Sequence, residues 1–122
     1  MANILVVDDE ESIRELIQEI LKMDLHNVDV ANNGASGLKK FKDNAYDLVI
    51  TDLIMPEKDG IEFINELKAS HSGVKILAIS GGSWGIDAAP QLEIAGYLGA
   101  SSSLEKPFEM EELVAAVNRL LL

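Results

Sequence analysis

The sequence predicts an α/β fold with one parallel sheet of five strands and helices on both of its faces. Three observations predict it. Short apolar runs recur along the chain: Ile4-Leu5-Val6-Val7, Leu48-Val49-Ile50-Thr51 and Ile76-Leu77-Ala78-Ile79. Runs of this length and composition read as strands buried on both sides. Segments with apolar residues at helical spacing separate them. Strand and helix alternate five times with no linker, repeat or low-complexity stretch between them, and such alternation argues for a parallel sheet with right-handed crossovers.

The first strand is about Asn3–Val7. A helix follows, with Ile13, Leu16, Ile17, Ile20 and Leu21 on one face, and Asp9 or Ser12 as its cap. Val28–Ala31 reads as the second strand, and Asn32-Asn33-Gly34 as a turn. The second helix turns Ala35, Leu38 and Phe41 inward. Asp47–Thr51 is the third strand. A loop closed by Asp59-Gly60 leads into a third helix carrying Ile61, Ile64 and Leu67. Lys75–Ile79 is the fourth strand, and Ser80-Gly81-Gly82-Ser83-Trp84-Gly85 is a glycine-rich loop. A fourth helix starts near Pro90 and runs through Leu98. A short fifth strand lies near Ser102–Leu104, and the last helix is Glu109–Leu121, with Leu113, Val117 and Leu120 inward. Strand order 2-1-3-4-5, the flavodoxin-like doubly wound (βα)5 arrangement, is the common solution for this pattern.

Composition narrows the function classes. A chain of 122 residues that is 48% hydrophobic builds one core, so residues 1–122 form one domain. No cysteine is present, which excludes disulfides, thiolate-bound zinc and thiol catalysis. No apolar stretch is long enough to span a membrane and no basic leader precedes the first strand, so a cytoplasmic location is expected. Ten basic residues face 21 acidic ones, a net charge of −11. Nucleic-acid binding needs a basic patch, and Lys39, Lys40 and Lys42, read as a solvated helix face, do not make one.

The chemistry-bearing residues fall at strand ends. Asp8 and Asp9 follow the first strand, Asp52 the third, Ser80 the fourth, and Lys106 the fifth. In an open α/β sheet the site lies outside the carboxyl ends of the strands, and this strand order makes the first and third strands neighbours. Three carboxylates crowded together repel one another and call for a cation. Oxygen donors without His or Cys favour Mg²⁺, Mn²⁺ or Ca²⁺ over zinc. A lysine and a hydroxyl beside them suit phosphoryl oxygens, and a carboxylate can itself be the nucleophile that forms an aspartyl phosphate. Each residue alone has a plainer explanation: Asp8-Asp9 as helix-dipole charges, Asp52 as a turn cap, Lys106-Pro107 as a loop dipeptide. It is their joint occurrence at successive strand ends that points to a site.

With these residues in place, the chain resembles the receiver domain of two-component response regulators. The resemblance runs its whole length. It rests on Val7-Asp8-Asp9-Glu10, Arg14, Asp52-Leu53-Ile54-Met55-Pro56, Asp59-Gly60, Ser80, Gly99-Ala100 and Lys106-Pro107-Phe108. It implies that Asp52 accepts a phosphoryl group from a sensor histidine kinase or phosphotransfer protein. It also implies that Asp9, Asp52 and the backbone carbonyl of Ile54 hold Mg²⁺ (Mn²⁺ serving too), with Asp8 binding a metal-bound water. Ser80 and Lys106 would contact phosphoryl oxygens, and Lys106-Pro107 would be cis. A downstream protein would read the face made by the fourth predicted helix, the fifth strand and the last helix. Such a protein is a phosphoacceptor that promotes its own phosphorylation and slow dephosphorylation, not an enzyme turning over a free substrate.

Three departures from the family pattern stand out. Ser103 occupies the position, three before the lysine, where an aromatic usually turns inward on activation. The stretch from Ser80 to Gly99 is long and glycine-rich, with Trp84 inside it. Ile54 and Gly82, two positions beyond Asp52 and Ser80, carry no polar side chain to orient a water. The alternative reading is a degenerate receiver that binds partners without phosphorylation. An aspartyl-phosphate phosphatase would carry an acid where Ile54 stands, and a flavin-binding domain would not place Asp8-Asp9-Glu10 against a phosphate.

Overall fold

In the computed structural model, which describes residues 2–53, 60–81, 96 and 99–122, each predicted strand is present. The elements are β1 (Asn3–Val7), α1 (Glu11–Met23), β2 (Asn27–Ala31), α2 (Gly34–Asp43), β3 (Leu48–Asp52), α3 (Gly60–Ser70), β4 (Ile76–Ser80), β5 (Ser102–Glu105) and α4 (Met110–Leu121). The strands pair in parallel in the order β2-β1-β3-β4-β5, as the sequence predicts. The helix predicted from Pro90 to Leu98 lies outside the described residues except at Gly96. So do the loop from Ile54 to Asp59, Trp84 and Tyr97.

Alternation along each strand divides the core in two. Ile4, Val6, Leu48, Ile50, Leu77 and Ile79 point to the face covered by α1 and α4, where Ile17, Leu21, Leu113 and Val117 meet them. Leu5, Val7, Val49, Ile76 and Ala78 point to the other face, covered by α2 and α3 through Phe41, Phe63, Ile64 and Leu67. Each such side chain contributes about 1.5–3 kcal/mol when fully buried. Burial on both sides is why these strands read as continuous apolar runs and not as alternating ones.

Two of the helices, α2 and α4, begin where side chains satisfy free N–H groups. Asn33 caps α2, its Oδ1 accepting from the Ser36 N–H at 2.8 Å. At α4, Glu112 Oε1 accepts from the Glu109 N–H at 2.9 Å. The predicted caps of α1, Asp9 and Ser12, do not form. Glu10 occupies the cap position without a side-chain bond, and Asp8 Oδ1 instead accepts from the Glu10 N–H at 2.9 Å. Two other expectations fail: Leu16 is 44% exposed, and Ala35 faces solvent. In both helices the buried stripe is narrower than the apolar pattern. On α2 its place is taken by Gly37, whose missing Cβ would lie 2.8 Å from Val7 Cγ2.

Candidate functional site

Each site residue is set by the end of a strand. Val7 pairs with Ala31 on one side and Thr51 on the other, so Asp8 and Asp52 leave adjacent strands at the same level. The backbone ladder runs one step further than the sequence suggests. Leu53 N–H donates to the Ile79 carbonyl at 3.0 Å, and Lys106 N–H to the Ser80 carbonyl at 2.8 Å. Asp52 and Ser80 are therefore the last residues of β3 and β4, not the first of the loops that follow. Asp8 is 1% exposed, Asp52 5%, and Ser80 fully buried.

The charges converge. Ligand oxygens of Asp8, Asp9, Glu10 and Asp52 all lie within 4.8 Å of one another. Lys106 Nζ donates to Asp52 Oδ2 at 2.8 Å, to Asp8 Oδ2 at 3.1 Å and to Glu10 Oε1 at 3.4 Å. Glu10 is the residue sequence reasoning left without a role. The only signal for it was its place directly after Asp8-Asp9. Ile54, whose carbonyl the resemblance adds to the metal set, lies outside the described residues. Lys106-Pro107 is cis.

Electrostatics follow from burial. Desolvation pushes the Asp8 carboxyl up from 3.8 to about 6; the Glu10 N–H and the Lys106 ammonium oppose the shift, and the like charge of Asp52 adds to it. Burial alone would lower the Lys106 ammonium, but hydrogen bonds and charge from Asp52, then Asp8, outweigh it and hold the group above its ordinary range. One lysine among several carboxylates leaves the site negative. An all-oxygen set with surplus charge fits a hard divalent cation, which Mg²⁺ satisfies through one or two carboxylates plus waters and phosphate oxygens.

Two glycines hold this geometry. A Cβ on Gly60 would overlap the Asp52 carbonyl oxygen and lie 2.6 Å from Leu53 Cα, and Gly60 N–H donates to the Leu53 carbonyl at 3.0 Å. Gly81 packs on the stem of Lys106, where a Cβ would stand 3.3 Å from Lys106 Cβ. The turn after β1 is tied down by Arg14, whose Nη1 donates to the Asp8 carbonyl at 2.8 Å.

Two histidines and a lysine away from this cluster have structural work. His26 Nδ1 accepts from the Ala2 N–H at 3.1 Å, and the exposed His71 meets the Phe41 ring edge-on at 4.9 Å between centroids. Lys40, read as solvated, is half-buried and donates to the Val30 carbonyl at 2.6 Å. Ser103 is exposed on β5, paired in register with Ala78.

Residues 4–118 match the family model of the response regulator receiver domain. The chain belongs to this receiver-domain family. It is 38% identical over 121 residues to the transcriptional regulatory protein CpxR of Klebsiella pneumoniae, covering 99% of this chain and 50% of that protein. It is 32% identical over 118 residues to the chemotaxis protein CheY of Halobacterium salinarum, covering 97% of this chain and 95% of the relative. The receiver domain of NtrX from Brucella abortus superposes with a TM-score of 0.90 at 32% identity, covering 97% of both chains. The chain thus spans about half the length of CpxR. Among the described residues, no helix of this receiver is long and apolar enough to cross a membrane.

Proposed function

We propose that this receiver accepts a phosphoryl group on Asp52 from the phosphohistidine of a sensor histidine kinase or phosphotransfer protein, in a Mg²⁺-dependent reaction. The observation that carries the reading is the pairing of Asp52 with Lys106 at 2.8 Å, inside a carboxylate cluster whose oxygens lie within 4.8 Å. A carboxylate oxygen of Asp52 attacks phosphorus. The P–N bond to the donor imidazole breaks as the O–P bond forms, and the imidazole keeps the electron pair. Lys106 stays beside the acceptor oxygen and neutralises charge on the transferred group, with the Ser80 hydroxyl as a further donor. Asp9, Asp52 and the Ile54 carbonyl would hold Mg²⁺, with Asp8 binding one of its waters. When bound, that ion supplies the positive charge the phosphoryl oxygens need. Phosphorylation then changes partner binding; the reading face is β5 and α4 together with the segment that precedes β5.

The test is incubation with a small phosphodonor, with and without Mg²⁺, followed by intact mass. One phosphate adduct is expected with Mg²⁺, and none in Asp52→Asn. An adduct that persists in Asp52→Asn would move the acceptor elsewhere. With Ile54 and Gly82 unable to position a water, the adduct should also be long-lived. Decay of the phosphorylated mass within seconds in Mg²⁺ buffer would contradict that part of the reading.

A further inference from the structure

Ten cations share this chain with 21 acidic residues, so a cation drawn partly into the protein is expected to meet a carboxylate. Lys106 meets three. Arg14 and Lys40 are both half-buried, yet among the described residues neither forms an ion pair. Both line one pocket of about 300 Å³ at the end of β2, together with Val30, Ala31, Asn32 and Ser36, and among the described residues no carboxylate lines it.

Hydrogen-bond accounting makes this pocket rich in donors. The Val30 carbonyl is taken by Lys40 at 2.6 Å, the Ala31 carbonyl by the Asp8 N–H at 3.1 Å, and Asn33 Oδ1 by the Ser36 N–H at 2.8 Å. Arg14 gives one Nη to the Asp8 carbonyl and keeps the rest of its guanidinium fork; Lys40 keeps two ammonium protons. A purely structural role explains one bond for each: Lys40 covers a carbonyl of the edge strand β2, and Arg14 ties the turn after β1. It does not explain why two uncompensated cations share a cavity in a chain this acidic.

We propose that the Arg14–Lys40 pocket binds a tetrahedral oxyanion of the phosphate class, either free phosphate or the phosphoryl head of a small phosphorylated metabolite. The fork of Arg14 meets two oxygens, Lys40 supplies a point charge, and the Ser36 hydroxyl and Asn32 amide complete the donor set. None of the residues assigned to phosphoryl transfer takes part, so this inference stands or falls independently of that function. The pocket is open and the net charge is −11, so affinity is expected to be modest, with a dissociation constant on the order of 1 mM.

The experiment is an amide ¹H–¹⁵N titration of the whole chain in Mg²⁺-free buffer, with inorganic phosphate in one arm and glycerol 3-phosphate in the other, at ionic strength held constant with chloride. Saturable shifts confined to Asn32–Gly37 and the Arg14 side chain are expected, weakened about fivefold or more in Arg14→Gln and in Lys40→Gln. Whichever arm binds tighter distinguishes the free anion from the ester. If those variants lose dispersed spectra, Ser36→Ala is read instead, with a loss of about two- to threefold expected. Shifts that never saturate, shifts centred on Asp52 and Lys106, or affinity unchanged in the folded variants would overturn the proposal.

Discussion

The Asp8 carboxyl is 1% exposed and shares its surroundings with Asp52, and burial raises it from 3.8 to about 6. Between these two pH values the folded chain binds a proton that the unfolded chain does not, so this group lowers stability as pH rises through the window. A shift of that size corresponds to roughly 3 kcal/mol against the ionised form. Asp8→Asn removes the charge while keeping an oxygen for the Glu10 N–H. The metal-free variant should be about 2 kcal/mol more stable than the parent at pH 7.5, with the gain fading below about pH 4, as read from urea midpoints. An Asp8→Asn protein equal to the parent at pH 7.5 would contradict the assignment of buried charge here. Asp8, Asp9, Asp52, Ser80 and Lys106 are legible in the sequence together, because each closes or follows an apolar run. Glu10 is not, because only the turn after β1 brings its carboxylate to Lys106.

At the scale of elements, β3 and the helix beyond it are locked by Gly60. The sequence marks Asp59-Gly60 as a turn, but the reason for glycine is tertiary: there is no room for a Cβ against the Asp52 carbonyl. Gly60→Ala must push α3 away from β3 or displace Asp52, and either costs about 2–4 kcal/mol. The expected result is a lower denaturant midpoint together with slower phosphorylation. Unchanged values of both would show that the helix yields without moving the site. Strand boundaries at β3 and β4 were misplaced by one residue for a related reason. Asp52 and Ser80 look like loop residues by type, yet neighbouring strands extend the ladder over them. On α1, the apolar pattern includes Leu16, yet burial falls on Ile17, Ile20 and Leu21, which face the sheet and α4, and Leu16 stays 44% exposed.

At the scale of the whole molecule the net charge is −11, and four of the 21 acidic residues meet at one site. Self-repulsion of this kind is screened by salt and removed by a bound cation. The melting temperature should rise modestly with added NaCl. Millimolar Mg²⁺ at constant ionic strength should raise it by several degrees, as a ligand that binds only the folded state does. Asp52→Asn should lose most of the Mg²⁺ increment and keep the NaCl one. Equal responses in the two proteins would remove Asp52 from the metal set. The face proposed for readout carries Ser103 on the exposed edge of β5, so any relay there would work without an aromatic at that position.

Sequence alone determined the fold class, the strand order and the strand-end address of Asp8, Asp9, Asp52, Ser80 and Lys106. Those follow from local periodicity and from a topology with few alternatives. Tertiary structure decided the rest: that Glu10 joins the carboxylates, that Lys106 bridges Asp8 and Asp52, that Gly60 admits no side chain, and that Arg14 and Lys40 face one pocket. Distance and desolvation between residues far apart in the chain set these features, and neither is written in the spacing of residues along it.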